Sequence, residues 1–251
     1  MHIFFNINLS INIKMSTHSG IAKSESWQMF NDISPRYDFL NHFLSFGIDI
    51  FWRRQLAHFL PNRDNLSVLD LATGTGDVLL TLVKCRSQIS SAVGIDMAEK
   101  MLEIGRQKIA QRKLDHKITL QKGDANRIPF ADNSFDVTTI AFGIRNMENP
   151  LNVLKEMCRV IKSSGRMLIL EFSLPENRLL RIIHLFYLRN IVPAIGHIFS
   201  GHYQAYKYLN QTIESFPYGI DFCSLMDQAG FARAQAYPLL GGVATIYVGE
   251  K

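Results

Sequence analysis

The residues with the clearest chemical potential follow a short apolar run at 68–71, where a glycine-rich turn leads into a second apolar segment. Gly74 and Gly76 stand in this turn, and Asp77 follows it. Glycine lets the backbone approach a ligand closely because it has no Cβ. In open α/β sheets, ligands bind beyond the carboxyl ends of the strands. The segment therefore predicts a ligand site at the end of a buried strand.

Two acidic residues continue the series after the next predicted strands. Asp96 lies 20 residues beyond Gly76, and an acidic residue at that distance accepts hydrogen bonds from ribose hydroxyls. Asp124, in Gly123-Asp124-Ala125, can accept a hydrogen bond from an adenine amino group. The three segments together predict a nucleotide-type cofactor. The alternative is an α/β fold whose glycine turn and aspartates hold no ligand.

The residues of the turn distinguish between two such cofactors. A dinucleotide fold requires a third glycine, and Leu79 occupies that position. The pyrophosphate of a dinucleotide rests on a helix N-terminus, where the carboxylate of Asp77 would repel it. A cationic sulfonium that carries an ammonium group suits the same carboxylate. The pattern therefore favours S-adenosylmethionine over NAD.

Strands and helices alternate from residue 67 onward, which is typical of a parallel sheet covered by helices. Strands are predicted at 67–72, 92–96, 118–121, 135–142, 166–172, 231–237 and 243–248, and helices at 77–84, 98–112, 150–161 and 222–229. The turn at 240–242 predicts that the last two strands pair antiparallel. The expected fold class is α/β, with a Rossmann-like sheet.

Two stretches lie outside this alternation. Helical periodicity at 26–60 is interrupted at Pro35 and Gly47. The tyrosine-rich stretch 173–218 is predicted to be a helical insertion that covers the carboxyl edge of the sheet. Within it, 177–190 forms an amphipathic pattern that carries Arg178, Arg181 and Arg189. Residues 1–25 are predicted to be a flexible tail, and 26–251 a single domain.

The composition limits the classes of function. The net charge of +5 comes from scattered Lys and Arg, whereas nucleic-acid binders cluster them. It predicts a solvated basic surface, or attraction to anionic lipid or an anionic cofactor. Three separated cysteines fit neither a disulfide framework nor a zinc site, which predicts a cytoplasmic protein without a metal. The sequence predicts neither a membrane span nor a signal peptide.

Five stretches resemble the motifs of class I S-adenosylmethionine-dependent methyltransferases. They are LDLATGTGD, GIDMAEKML, GDANRIPFADNSFD, FGIRN and GRMLILEFSLP. Two more, YDFLN at 37–41 and YKYL at 206–209, narrow the resemblance to the ubiquinone/menaquinone biosynthesis C-methyltransferases. The similarity extends from about Phe30 to the last residue. It implies a seven-stranded, mostly parallel sheet with an antiparallel last strand.

The resemblance also implies where the cofactor is bound. It places contacts on Thr75, Asp96, Asp124 and Ala125, and it puts Ala141 where the family often has a serine that contacts the cofactor. When the turn and the residue after Asp96 are added, the predicted cofactor-binding residues are Asp70, Gly74, Thr75, Gly76, Asp96, Met97, Asp124 and Ala125.

The family methylates a ring carbon of a prenylated hydroquinone, either demethylmenaquinol or 2-methoxy-6-polyprenyl-1,4-benzoquinol. Removal of a hydroxyl proton makes the ring carbon nucleophilic, so the enzyme must orient both partners and stabilise phenolate charge. Arg145, in FGIRN, is predicted to stabilise that charge or to hold a water that takes the proton. A structural salt bridge is the alternative for Arg145. Asn146 is predicted to help position it.

The proton acceptor is assigned to His202, with His184 and His197 as alternatives. Tyr206 and Tyr208, two positions apart on a helix, cannot both face the same side. Tyr206 is predicted to line the quinol pocket and Tyr208 to pack, with the reverse as the alternative. The amphipathic stretch is expected to lie on an anionic membrane, at its inner face, and to admit the prenyl tail. Packing in a homodimer or in the core is the alternative for that stretch.

Tyr37 and Asp38 are predicted to close the pocket from the N-terminal side, or to serve in packing and capping. Three other functions stay open: a methyltransferase for another hydrophobic small molecule, a non-catalytic scaffold, and an RNA methyltransferase. Methyltransferases of nucleic-acid amino groups usually carry an N/D-P-P-Y/F motif where this chain has FGIRN. Nucleic acid is therefore not an expected partner.

Overall fold

A computed structural model describes residues 23–195 and 203–251. Its centre is a seven-stranded sheet with the order β3-β2-β1-β4-β5-β7-β6. The strands are β1 Leu66–Leu71, β2 Ile89–Asp96, β3 Ile118–Lys122, β4 Phe135–Ala141, β5 Ile161–Phe172, β6 Ala232–Leu239 and β7 Ala244–Glu250. Strand β7 pairs antiparallel with both β5 and β6, and the pairs among β1 to β5 are parallel. The predicted fold class is confirmed.

Helices cover both faces of the sheet. They are α1 Ser26–Leu44, α2 Ile48–Leu56, α3 Asp77–Cys85, α4 Glu99–Gln111, α5 Pro150–Val160, α6 Arg178–Phe186, α7 Tyr203–Ser215 and α8 Ile220–Gln228. A π-helical turn, Tyr187–Ile191, follows α6. Among these described helices, none has the length and apolar character needed to cross a bilayer.

Alternating side chains along the strands build two cores, one on each face. Val68 and Leu168 join the core under α2, α3 and α4, whereas Leu69 and Ile169 join the core under α5 and α8. All four side chains are fully buried. Burial on both faces explains why the strands are almost continuously apolar in sequence, as is usual for parallel strands.

The structure differs from the predicted boundaries in several places, most clearly at Pro35 and at the start of β5. Pro35 lies inside α1, although a proline removes one helical hydrogen bond. Gly47 does separate α1 from α2, and it adopts a left-handed conformation with φ of 73°. Strand β5 begins five residues earlier than predicted, because Ile161 pairs with Phe135 across a register shift. The sequence did not predict this extension, because residues 162–165 are polar or glycine and do not form the apolar run expected of a buried strand.

The N-terminal helices and the insertion meet above the carboxyl edge of the sheet. The hydroxyl of Tyr187 donates to the Leu44 carbonyl at 2.6 Å, which joins the π-helical turn to the end of α1. Leu188, Val192 and Ile213 form a small buried cluster between these elements. The division into a tail and one domain stays a prediction, since residues 1–22 lie outside the described ranges.

Candidate active site

The turn after β1 is held in shape by its own polar groups. Gly74 and Gly76 have φ of 56° and 79°, which glycine adopts at little energetic cost. Below them, the buried Asp70 accepts hydrogen bonds from Thr73 Oγ1 at 2.6 Å and Thr139 Oγ1 at 2.5 Å. Burial raises the pKa of Asp70 to about 7, against the opposite effect of the two hydroxyl donors. Asp70 therefore supports the turn from beneath.

Asp96, at the end of β2, is tied directly to this turn. Its Oδ2 accepts from the backbone N–H of Gly74 and its Oδ1 from that of Ala98, both at 2.8 Å. Burial raises the pKa of Asp96, and the backbone donors oppose that shift. A carboxylate has further lone pairs for a ligand. The direct bond between the turn and Asp96 was not anticipated from the sequence.

A cavity of about 270 Å³ opens in front of the turn, and we call it the glycine-turn cavity. Five of the eight predicted cofactor-binding residues line it: Gly74, Asp96, Met97, Asp124 and Ala125. Thr75 and Gly76 belong to the turn itself, and Asp70, in β1, lies beneath it; none of the three lines the cavity. One oxygen of Asp124 accepts from the backbone and side-chain nitrogens of Asn126 at 2.8 and 3.0 Å.

Thr75 and Asp77 take part in an ionic cluster with α1 and α4. Lys108 Nζ lies 2.6 Å from Asp38, 2.7 Å from Asp77 and 2.8 Å from Thr75 Oγ1. Thr75 Oγ1 donates to Asp38 at 2.7 Å. The carboxylate of Asp77 is thus neutralised by Lys108, so the expectation that it faces a sulfonium is wrong. Asp38 fastens α1 to the turn instead of closing a pocket.

A second cavity of about 300 Å³ lies beside the first, and we call it the aromatic cavity. Phe30, Phe142 and Asn146 line both cavities and form the wall between them. Trp52 and Phe172 pack against Phe142, with ring centroids 6.0 and 4.6 Å away. Two ligands bound in these cavities would therefore meet at one shared boundary.

Arg145 is almost completely buried in the wall of the aromatic cavity. Its Nη1 donates to Glu171 Oε1 and to the Phe142 carbonyl, each at 2.6 Å, and its guanidinium lies 5.2 Å from the Phe172 ring centre. The salt bridge that we considered as an alternative is therefore present. This salt bridge does not use all the hydrogen-bond donors of Arg145, because Nε is buried and has no partner among the described residues.

Other polar atoms of this cavity are also unpartnered. Trp52 Nε1, Asn146 Oδ1 and His184 Nε2 are buried and make no hydrogen bond to any residue that the structure describes. The hydroxyl of Tyr208 faces Ser26 but makes no hydrogen bond of normal geometry. Buried polar groups are nearly always paired in folded proteins, and an unmade bond is unfavourable by about 1–3 kcal/mol. A ligand with both donors and acceptors would satisfy this set.

The predicted catalytic residues are only partly brought together. Arg145 and Asn146 line the aromatic cavity. His202 and His197 lie outside the described residues, and Tyr206 and Tyr37 belong to α7 and α1 without a described side chain. His184, an alternative to His202 in the sequence analysis, and Tyr208 both line the aromatic cavity. His184 faces inward from a helix whose Leu179, Ile182 and Phe186 are exposed, an orientation that the sequence pattern does not show.

The ubiE/COQ5 methyltransferase family matches residues 19–251 of the sequence. The chain belongs to this family. The ubiquinone/menaquinone biosynthesis C-methyltransferase UbiE of Geotalea uraniireducens is 44% identical over 224 residues, which cover 89% of this chain and 95% of that protein. The demethylmenaquinone methyltransferase of Bacteroides fragilis is 37% identical over 240 residues, with 95% and 97% covered.

Solved structures support the same fold. A methyltransferase from Thermotoga maritima, described as S-adenosylmethionine-dependent and as a possible histamine N-methyltransferase, has a TM-score of 0.63 at 19% identity. The match covers 90% of this chain and 99% of that one. As a ubiE/COQ5 methyltransferase, the chain is an enzyme that takes its methyl group from S-adenosylmethionine. The free carboxylate lone pairs of Asp96 and the open turn at Gly74 fit this cofactor.

Asp96→Ala is expected to weaken S-adenosylmethionine binding by about 10- to 100-fold, because hydrogen bonds to a charged group contribute about 1.5–3 kcal/mol. Calorimetric titration measures the affinity. The exposed Asp115→Ala serves as the matched control and should bind normally. Equal affinity in the two variants would remove Asp96 from the cofactor site.

Proposed function

We propose that this methyltransferase transfers a methyl group to a ring carbon of a prenylated hydroquinone, either demethylmenaquinol or 2-methoxy-6-polyprenyl-1,4-benzoquinol. The observation that carries the proposal is the aromatic cavity. Its apolar wall contains unpartnered polar atoms, and it lies beside the glycine-turn cavity. An aromatic ring with two hydroxyls matches that combination. The Geotalea relative is a ubiquinone/menaquinone biosynthesis C-methyltransferase and the Bacteroides relative a demethylmenaquinone methyltransferase, which supports this choice of acceptor.

In the proposed complex, residues of the glycine-turn cavity hold the cofactor. Gly74, Met97 and Ala125 provide close backbone and apolar contact, and Asp96 and Asp124 accept hydrogen bonds. When bound, S-adenosylmethionine supplies an electrophilic methyl group. Asp70, Thr75 and Gly76 act one layer further out, because they shape the turn.

Arg145 is proposed to stabilise negative charge on the quinol oxygen. A guanidinium stays protonated in proteins, so Arg145 is suited to charge stabilisation rather than to proton removal. Glu171 and the Phe142 carbonyl fix its orientation, and the surrounding aromatic residues exclude water. Donors preorganised in such a site stabilise a developing oxyanion by several kcal/mol. Asn146, next to it in both cavities, helps to position the ring.

The test is transfer of labelled methyl from S-adenosylmethionine to each quinol under reducing conditions. Label in demethylmenaquinol, in the benzoquinol or in both supports the proposal and identifies the pathway. The oxidised quinones are the control and should receive no label, because they lack the hydroxyl whose ionisation activates the ring. Absence of label in both quinols, with the cofactor still bound, would indicate another hydrophobic acceptor.

We also propose that α6 contacts a lipid bilayer, from which the prenyl tail enters. Leu179, Ile182, Ile183 and Phe186 on this helix are 57–67% exposed. Phe46 and Leu240, which are also exposed, line the aromatic cavity, so apolar surface is found at its entrance. The exposed apolar face therefore offers a route for an isoprenoid chain from lipid to the cavity.

The arginines of α6 and of the π-helical turn after it contribute less to this contact than their number predicts. Arg189 is paired with Glu214, and Arg181 donates to the Pro175 carbonyl at 2.7 Å. Arg178 is exposed beside the apolar face. Insertion of apolar side chains is thus the main proposed interaction, with anionic lipid as a secondary one.

Ile182→Glu combined with Phe186→Glu is expected to weaken liposome binding, measured by sedimentation, by about 10²- to 10⁴-fold, because two large apolar side chains contribute about 3–6 kcal/mol together when fully buried. Ile220→Glu, at an exposed site on α8, is the matched control and should sediment normally. Unchanged liposome binding by the double variant, with loss of a dimer in analytical ultracentrifugation, would assign this face to a second copy of the chain.

A further inference from the structure

His184 is turned away from the exposed side of α6. It is 9% exposed, whereas its neighbour Ile183 is 57% exposed, and it lines the aromatic cavity. Its Nε2 is buried and has no hydrogen-bond partner among residues 23–195 and 203–251, as far as their side chains are described. Burial lowers the pKa of His184 below the usual 6.5, so the imidazole is neutral at pH 7. A neutral imidazole always has one ring nitrogen that can accept a proton.

The other ionisable groups of the described cavity lining are unsuited to take a proton near neutral pH. The pKa of Asp49 is lowered, and its carboxylate is occupied by Arg53, Ser45 and His42. Tyr187 and Tyr208 have raised pKa values because they are buried, so both remain protonated.

The arginines of the same lining, Arg53 and Arg145, cannot lose a proton in the physiological range. Asp96 belongs to the neighbouring cavity, and Asp70 lies beneath the glycine turn. Within the part of the chain that the structure describes, His184 is therefore the lining group whose protonation state suits proton acceptance.

We propose that His184 is the proton acceptor for the hydroxyl of the quinol, an inference that rests on the proposed function. The O–H bond breaks, an N–H bond forms on the imidazole, and the electron pair remains on the quinol oxygen. The ring carbon then takes the methyl group from the sulfonium, whose C–S electron pair stays on sulfur. The ring C–H proton passes to water, and the proton on His184 returns to the oxygen, so one proton is released overall.

This assignment divides the work between two residues of one cavity. Arg145, permanently charged, stabilises the oxygen once it is ionised, and His184 removes the proton beforehand. The low-dielectric surroundings favour both functions, because they strengthen the attraction of the guanidinium for the oxyanion and keep the imidazole neutral. The head group of the quinol is thereby placed between α6 and the turn that follows β4.

The test compares turnover and its pH dependence in His184→Gln and in the unaltered enzyme. We expect kcat to fall by about 10²- to 10⁴-fold, the usual range for loss of a general base, while affinity for S-adenosylmethionine is retained. In the unaltered enzyme, kcat/KM should decline at acidic pH as His184 becomes protonated. That acidic limb should be absent from the variant, a difference that a purely structural role would not produce.

His116→Gln, at an exposed position, is the matched control and should keep both turnover and the acidic limb. Retention of turnover and of the acidic limb in His184→Gln would overturn the assignment of His184 as the proton acceptor, but not the proposed methylation of the quinol. Absence of methyl transfer by the unaltered enzyme, with cofactor bound, would overturn the proposed substrate and this role together. The two failures are thus distinguishable.

Discussion

Arg145→Ala is expected to lower turnover by about 10²- to 10³-fold, the usual effect of removing one donor to a developing oxyanion, while S-adenosylmethionine affinity is retained. Steady-state transfer of labelled methyl and calorimetric titration measure the two quantities. Affinity survives because Arg145 lines the aromatic cavity and not the glycine-turn cavity. The free energy of unfolding should also fall, by about 3–5 kcal/mol, because the buried Glu171 loses its partner.

A double variant separates the catalytic effect from the structural one. Arg145→Met with Glu171→Met removes both charges, and apolar replacement of a buried ion pair is often neutral for stability. We expect this variant to regain the free energy of unfolding but not the turnover. Recovery of turnover with stability would show that Arg145 acts only through its salt bridge, which is the alternative that the sequence left open.

Asp70 is expected to make the protein less stable as the pH rises from 4 to 7. Its folded carboxyl keeps the proton up to a pKa of about 7, whereas the unfolded one loses it near 3.8. The folded state therefore binds more protons in this range, so the free energy of unfolding declines with pH and then levels off. The contribution is about 4 kcal/mol, at about 1.4 kcal/mol per pKa unit.

In Asp70→Asn, the free energy of unfolding should lack this pH-dependent contribution, because the amide does not titrate. Urea unfolding at pH 4 and pH 7.5 measures it as a difference between the variant and the unaltered protein. Asp136→Asn is the matched control: Ser67 and Lys162 hold the pKa of Asp136 below its usual value despite partial burial, so the effect of this substitution should hardly change between pH 4 and pH 7.5. That carboxylate stabilises the fold above its usual pKa of 3.8, and the effect is lost at lower pH. A pH-independent effect of Asp70→Asn would contradict the prediction.

The sheet and the glycine turn were predictable because their signals are local. An apolar run followed by Gly74 and Gly76 specifies a strand and a turn within a few residues of sequence. Asp96 and Asp124, which line the glycine-turn cavity, followed from the same logic, since strand ends meet at one edge of the sheet. The fold class and the lining around Asp96 were therefore accessible from sequence alone.

Contacts between distant segments were not accessible in this way. Asp77 was expected to face a ligand, but Lys108 reaches it from 31 positions away and α1 adds Asp38 to the cluster. The orientation of α6 was equally hidden. Helix α6 has apolar residues on its exposed side as well as on its buried side. The spacing of the apolar residues therefore does not show that His184 is the side chain that faces inward.

The wall shared by the two cavities affects how the acceptor range of such an enzyme can be redesigned. Substitution of Phe142 or Asn146 alters the space for methyl donor and acceptor at once, and gains in new substrates would be offset by losses in cofactor binding. Leu188, Val192 and Ile213 line the aromatic cavity without bordering the other one. Diversification of acceptor size is therefore best directed to these three positions, where donor recognition is left untouched.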